Sequence, residues 1–239
     1  MTIFLLADSF AQTANPTKIF IDTTRQIQWL GDPNANDTTG KFTYDTITKK
    51  DFIAFKKKYN PQIDTSSTRI IRTDTSFLIK TPQFKKYFRA DQRDLYGGFN
   101  EYLGFIKPLN LFAIQFSGSG VSGLRFIDSK TGKLYGVESP FDNGCVNPLL
   151  SPKNRYFLSY ANNVFEDNES FIVILKVTVD KETYTLENFI SLTIGKWYIK
   201  DIVWINENSF ALSVETETKS DDNSEPTVKK YYLKATIKK

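Results

Sequence analysis

The side chains able to do chemistry in this chain are a restricted set. Its 239 residues contain no histidine, and Cys145 is the single cysteine. The usual general base near neutral pH and the commonest zinc ligand are therefore missing. Serine–histidine and cysteine–histidine catalysis is excluded in its ordinary forms, as are an intrachain disulfide and a cysteine-based metal cluster. What remains is carboxylates, lysine, tyrosine, or a metal held by oxygen ligands.

Asp91, Asp94, Glu101 and Glu138 are the acids that could pair for sugar hydrolysis. That chemistry needs two of them to face each other about 5–10 Å apart; the plainer reading is solvated surface acids. Phe141-Asp142-Asn143-Gly144-Cys145 puts an acid and a turn dipeptide beside the lone thiol. It reads either as a loop at a binding mouth or as a tight turn over a buried small residue. Gly118-Ser119-Gly120-Val121-Ser122-Gly123 lacks the lysine and the following helix of a phosphate loop, so it is expected to be a hairpin connection. Asp167, Glu169, Asp221 and Asp222 match no calcium-loop spacing. No residue is assigned a catalytic or metal-ligating role, and no cofactor is expected.

Charge is uneven. Residues 41–93 carry 13 Lys and Arg against 5 Asp and Glu, whereas residues 161–239 carry 10 against 13. The basic stretch interleaves Phe52, Phe55, Tyr59, Phe84, Tyr87 and Phe88, the composition of a single-strand nucleic-acid binder. Those rings recur at helical spacing, which turns them inward beneath a solvated basic face, so nucleic acid is not the expected partner.

The elements that must position these residues are mostly strands. Aromatic residues make up 15% of the chain, and aromatic and β-branched side chains suit a pleated, half-buried surface. Lys18–Asp22, Arg25–Leu30 and Lys41–Ile47 read as early strands. Thr48 caps a helix whose Phe52, Phe55 and Tyr59 share a face and which Asn60-Pro61 stops. A second helix is expected from Thr81-Pro82, with Phe84, Tyr87, Phe88 and Leu95 as its buried stripe and Gly97-Gly98 at its end. Two β-like runs, Arg69–Arg72 and Phe77–Ile79, lie between the helices, and almost only strands follow residue 103. Asp128–Lys133 is expected to join two strands as a hairpin, and residues 219–226 form an acidic hairpin tip. The fold class is thus all-β with one or two short N-terminal helices, in antiparallel sheets, with residues 13–239 as a single domain.

Three segments align: Ile106–Phe116, Leu150–Tyr160 and Trp204–Val214. Each has a turn centred on an asparagine (Asn110, Asn154, Asn208), an aromatic residue two positions later, and Ile or Leu two after that. Asparagine tolerates the left-handed conformation of a tight turn, and the two apolar residues then share a strand face. Ser151-Pro152-Lys153-Asn154-Arg155-Tyr156-Phe157-Leu158 resembles the blade-opening turn and strand of WD40-like or lactonase-like β-propellers, and Asp128–Leu134 resembles the hairpin near a blade's end. The resemblance covers about residues 100–239 and implies a small or incomplete propeller. The Gly-His and Trp-Asp pairs of the WD40 signature are not present.

Residues 1–12 have a short apolar run with Ser9 and Ala11 placed before a cut at Gln12. They read as the remnant of an export signal, with a plain first strand as the alternative. No apolar run reaches the roughly 20 residues of a membrane span. The expected function is a non-catalytic binding protein, an exported bacterial one in the periplasm or secreted (alternatively cytoplasmic), recognising another protein or a glycan through exposed loops. Tyr96, Asn100 and Glu101 in one loop, and Phe141, Asp142 and Asn143 in another, are the expected contact residues, with Tyr96 and Phe141 as aromatic anchors. A carboxylate-dependent sugar hydrolase is the alternative, and a nucleic-acid binder acting through the basic region 49–93 is the further one. The alternation predicts a far-ultraviolet circular-dichroism spectrum dominated by antiparallel sheet; a helix-dominated spectrum would overturn the fold class.

Overall fold

The computed structural model describes residues 27–32, 41–90, 98–118, 120–141, 144–163, 169–180, 183–218 and 227–238. The export-signal remnant, the early strand at residues 18–22 and the acidic tip at 219–226 lie outside them. In chain order come strands β1 (Gln28–Leu30) and β2 (Phe42–Thr46), helix α1 (Lys49–Lys58), then β3 (Ile63–Asp64), β4 (Ile71–Arg72), β5 (Ser76–Lys80), β6 (Lys85–Arg89), β7 (Phe99–Ile106), β8 (Leu111–Gly118), β9 (Val121–Asp128), β10 (Leu134–Ser139), β11 (Val146–Leu150), β12 (Tyr156–Asn162), β13 (Ser170–Asp180), β14 (Thr183–Ile194), β15 (Tyr198–Asn206), β16 (Ser209–Thr218) and β17 (Thr227–Ile237). No helix among the described residues is long and apolar enough to cross a membrane.

Four sheets follow the chain. The first is β4-β5-β6 and the second β7-β8-β9-β10, each built of antiparallel neighbours. The second is widened by β3 on β7 and by β1, which runs parallel to β10. The third is β11-β12-β13-β14, and the fourth is β15-β16-β17 with β2 on its far edge. The fold is all-β with one α-helix among the described residues, and its extended pairs are antiparallel.

The sheets pack face to face in that order. Phe77, Ile79, Phe84 and Phe88 of the first meet Tyr102, Phe105, Phe112 and Ile114 of the second. The opposite face of the second, with Leu111, Ala113, Leu124 and Phe126, meets Phe157, Phe171, Val173 and Leu175 of the third. The other face of the third, with Leu158, Ile172 and Ile174, meets Ile202, Trp204, Phe210 and Leu212 of the fourth. Helix α1 covers what is left of the fourth sheet, setting Phe52 on Val203 and Ala211. Its start is a capping box: the Thr48 hydroxyl accepts the Asp51 N–H, and the Asp51 carboxylate accepts the Thr48 N–H.

Two expectations are corrected. The second helix does not form over residues 81–90, and Leu95 and Gly97 of its expected end lie outside the described residues. Thr81 and Phe84 exchange backbone hydrogen bonds across Pro82-Gln83, which closes a hairpin, and Lys85–Arg89 continues as β6. Phe84, Lys86 and Phe88 then alternate with the more exposed Lys85, Tyr87 and Arg89, and Phe88 stacks on Phe77 of the partner strand at 5.3 Å. Burial in the first core outweighs a pattern that also fits a helix. The asparagine turns also differ among themselves. Asn110 and Asn154 are left-handed, at φ 51° and 60°, but Asn208 is not. There the Asn206 side chain accepts the Asn208 N–H at 2.9 Å, an Asx turn. The residues that face the preceding sheet are Phe112, Phe157 and Phe210, so the second copy is offset by one position from the aligned Tyr156. The Asp128 hairpin forms as expected, its carboxylate accepting the N–H groups of Lys130 and Thr131 at 2.7 and 3.0 Å.

The third and fourth sheets are also locked by buried polar groups. Glu207, in the β15–β16 turn, reaches into the β11–β12 turn. It accepts the Ser151 hydroxyl at 2.6 Å and the N–H groups of Lys153 and Arg155 at 2.7 and 2.9 Å. Each is a charge-assisted bond, and the one from Ser151 is buried. Glu207→Ala removes the shared acceptor, leaving the Arg155 N–H only its 3.1 Å bond to Ser151 Oγ, and is expected to lower the unfolding free energy by about 3 kcal/mol in a denaturant titration. A loss below about 0.5 kcal/mol, the range of an ordinary surface substitution, would show that the turn does not need the carboxylate.

Candidate functional site

Three of the six expected contact residues are described: Asn100, Glu101 and Phe141. Tyr96, Asp142 and Asn143 lie outside the described residues, as do Asp91 and Asp94. Strand β7 begins, and β10 ends, at the same end of the second sheet, because Phe99 pairs with Ser117 and Ser139 with Ser122. Strands β8 and β9 intervene, and Asn100 lies on the face toward the first sheet whereas Phe141 packs in the core toward the third. The structure thus brings the two regions to one end of the sheet without bringing their side chains together.

Each side chain has a local task. The Asn100 amide donates to the Arg89 carbonyl at 3.1 Å and ties β7 to β6. Glu101 is exposed opposite Gln115. Phe141 is half-buried against the core between the second and third sheets. Its carbonyl accepts the Ser122 hydroxyl at 2.6 Å, and its N–H donates to Ser139 Oγ at 3.0 Å. Glu101 pairs with Gln115 on the face toward the third sheet, whereas Glu138 pairs with Gly123 on the face toward the first. These two acids therefore do not face each other. Cys145 is fully buried. Burial pushes its thiol up to about 12, opposed by hydrogen bonds to Ser159 and Ser139, so it is a neutral core residue at neutral pH.

A well-defined apolar cleft lies elsewhere. Leu103 on β7, Leu149 on β11, and Ile202 and Val203 on β15 converge on one cleft of about 350 Å³. These are the first full strands of the second, third and fourth sheets. Pro61, Ile63 and Thr65 line another wall, and Lys56 and Tyr59 at the end of α1 line a third. The Lys56 ammonium pairs with Asp201 at 2.5 Å at the rim, its side chain 60% exposed. Tyr59 donates its hydroxyl to the Leu150 carbonyl at 3.0 Å. It also lines a second cavity of about 200 Å³ with Phe55, Gln62, Pro152, Trp204 and Ile205.

The cleft is an aliphatic box with one ion pair at its mouth, near the lower end of the size range of small-ligand pockets. It can bury apolar side chains and offer Lys56 or Asp201 a new charged partner. No cluster of three or more acids or cysteines that could hold a metal exists among the described residues. The nearest sequence signal to the cleft is the Asn60-Pro61 helix stop, and it does not indicate which strands the helix end meets.

Burial perturbs several phenols. It pushes Tyr102, Tyr135 and Tyr160 up to about 12, and Tyr59 and Tyr184 further in the same direction. An unfolded chain releases these protons near pH 10. Between that pH and the folded values the native state binds more protons than the unfolded state. Their stabilisation is therefore complete below about pH 10 and is lost as pH rises through the folded values. Denaturation midpoints should be level from about pH 8 to about pH 9.5 and fall steeply by about pH 11, with phenolate absorbance appearing as the protein unfolds. A midpoint unchanged at the highest pH would contradict the burial of these rings.

Comparison of the chain with family models, with curated proteins and with solved structures finds no match.

Proposed function

We propose that this is a non-catalytic binding protein whose cleft around Tyr59 receives apolar side chains of a protein partner. The observation that carries the reading is the composition of the cleft. Most of its lining is apolar, namely Pro61, Ile63, Leu103, Pro148, Leu149, Ile202 and Val203, with Lys56, Tyr59, Thr65 and Asp201 as its polar members. Such walls offer area for burial at about 25 cal/mol per Å² and few hydrogen bonds. A sugar carries hydroxyls that would go unpaired there, so a peptide side chain is the better occupant.

The architecture supports a propeller-like scaffold. The second, third and fourth sheets are consecutive meanders stacked face to face, and their first full strands meet at the cleft. Blades of a propeller meet around an axis in this way. Strand β2 completes the fourth sheet beside β17, joining an early segment to the last blade as a closing strand does. Four sheets with only three strands in the first fit an incomplete ring better than a full one.

The test is selection of binders from a random-peptide display library on the full chain. Peptides carrying a bulky apolar residue next to a charge are expected. Thr65 is exposed at the cleft wall, so Thr65→Trp fills the cleft without disturbing a core. It should weaken those peptides at least about tenfold, equivalent to 1.4 kcal/mol. Equal binding to native protein and Thr65→Trp, or no enrichment at all, would refute the assignment.

A further inference from the structure

A second site lies on the outer strands of the second sheet, on the face that the short first sheet leaves partly open. Ile114 on β8, Arg125 on β9, Gly136 on β10 and Trp29 on β1 stand in one cross-strand row. Paired residues in a sheet point to the same face. The Arg125 guanidinium lies over the Phe116 ring, its carbon 4.1 Å from the centroid. The Trp29 indole lies 6.0 Å from the same ring. A Cβ placed on Gly136 would stand 2.5 Å from Trp29 Cε3. The glycine therefore lets the indole fold over β10 toward the arginine, and any side chain there would push it away. Trp29 nevertheless keeps 48% of its surface exposed.

Arg125 is the unexplained member of the row. Its Nε is buried without a hydrogen-bond partner, and no carboxylate among the described residues pairs with it. Glu138, on the same face, forms no ion pair with it. Burial works against the charge of this guanidinium, and stacking on one phenylalanine offsets only part of that cost. An anion from outside would match this cation, and an arginine fork takes a carboxylate through two parallel bonds.

We propose that Trp29, Phe116 and Arg125 form a binding site for a carboxylate-bearing sugar residue of an acidic glycan. The carboxylate sits on the Arg125 fork and the apolar C–H face of the ring lies on the indole. The site is a shelf rather than a cavity. That suits a ring whose hydroxyls stay in water, whereas a wholly apolar ligand requires enclosure. The site is separate from the cleft around Tyr59 and does not rest on it.

The experiment titrates the full chain with D-glucuronate, D-glucose and acetate, read by calorimetry and by quenching of indole fluorescence. Saturable glucuronate binding is expected, with glucose and acetate each at least about tenfold weaker. Trp29→Ala and Arg125→Gln should each weaken glucuronate at least about tenfold with the circular-dichroism spectrum unchanged, and Thr65→Trp should leave it unaltered. Should Arg125→Gln fail to fold, Trp29→Ala decides, since its indole is half in water. The proposal is overturned if glucuronate does not bind, if acetate binds as well as glucuronate, or if folded Trp29→Ala binds undiminished.

Discussion

The central part of the third sheet has no solvated face, and the rest of the structure is arranged around that fact. Phe171, Val173 and Leu175 of β13 point to one side, while Ile172 and Ile174 point to the other, and all five are essentially inaccessible to water. Strand β12 repeats the pattern with Phe157 and Ala161 against Leu158 and Tyr160. Each large side chain of this kind is worth about 1.5–3 kcal/mol when buried. A sheet carrying such residues on both sides needs a partner sheet on each. The second and fourth sheets are those partners, and each then has an outer face of its own to cover. The first sheet and helix α1 end the series because their own outer surfaces carry lysine, arginine and tyrosine in water.

Apolar faces alone would let neighbouring sheets slide, and the polar contacts fix where they stop. Asn162, buried at the end of β12, donates to the Ile199 carbonyl and accepts the Ile199 N–H, both at 2.9 Å. One amide side chain thereby imitates a strand neighbour across a gap between sheets. Ser170 completes the set by donating to the Trp197 carbonyl at 2.6 Å. At the other end of the same pair of sheets, Glu207 clamps the β11–β12 turn and the Trp204 indole donates to the Leu149 carbonyl at 3.1 Å. Buried groups of this kind are costly when unmatched, which makes any other alignment of the two sheets unfavourable. The cleft inherits its shape from this alignment, since Leu149 and Ile202 stand on the two locked sheets.

How much was legible in the sequence follows from the range of each interaction. Strands β2, β5, β9 and β10 and helix α1 announced themselves through alternation, capping and turn chemistry, all set by near neighbours. Phe84, Tyr87 and Phe88 fit a helical stripe and an alternating strand about equally well, and the choice fell to Phe77, which lies beyond the turn. The asparagine turns marked three strand openings, but the sheet-facing aromatic in the second is Phe157 and not Tyr156. Register there is set by what the strand packs against. The cleft was illegible because its walls are ordinary aliphatic residues from four places in the chain, and its ion pair joins residues 145 positions apart. Arg125 was hidden differently: between Leu124 and Phe126 it reads as the outward member of an alternating strand, and only Gly136 and Trp29 give it company.

Strands, more than loops, therefore carry the surfaces best suited to binding. A loop must be ordered when it captures a ligand, at about 0.5–1.5 kcal/mol per immobilised side chain. Leu103, Leu149 and Ile202 are already ordered by the cores behind them, so a ligand in the cleft meets walls that cost nothing further to arrange. The movable parts are at the rim. The Lys56–Asp201 pair is largely solvated and worth at most about 1 kcal/mol, so a charged ligand group can exchange with either member cheaply. The same logic holds on the second sheet, where the indole and the guanidinium are fixed by Gly136 and Phe116 before any ligand arrives. Locking the third sheet between its neighbours thus gives both proposed sites the rigidity that a modest contact area needs for affinity.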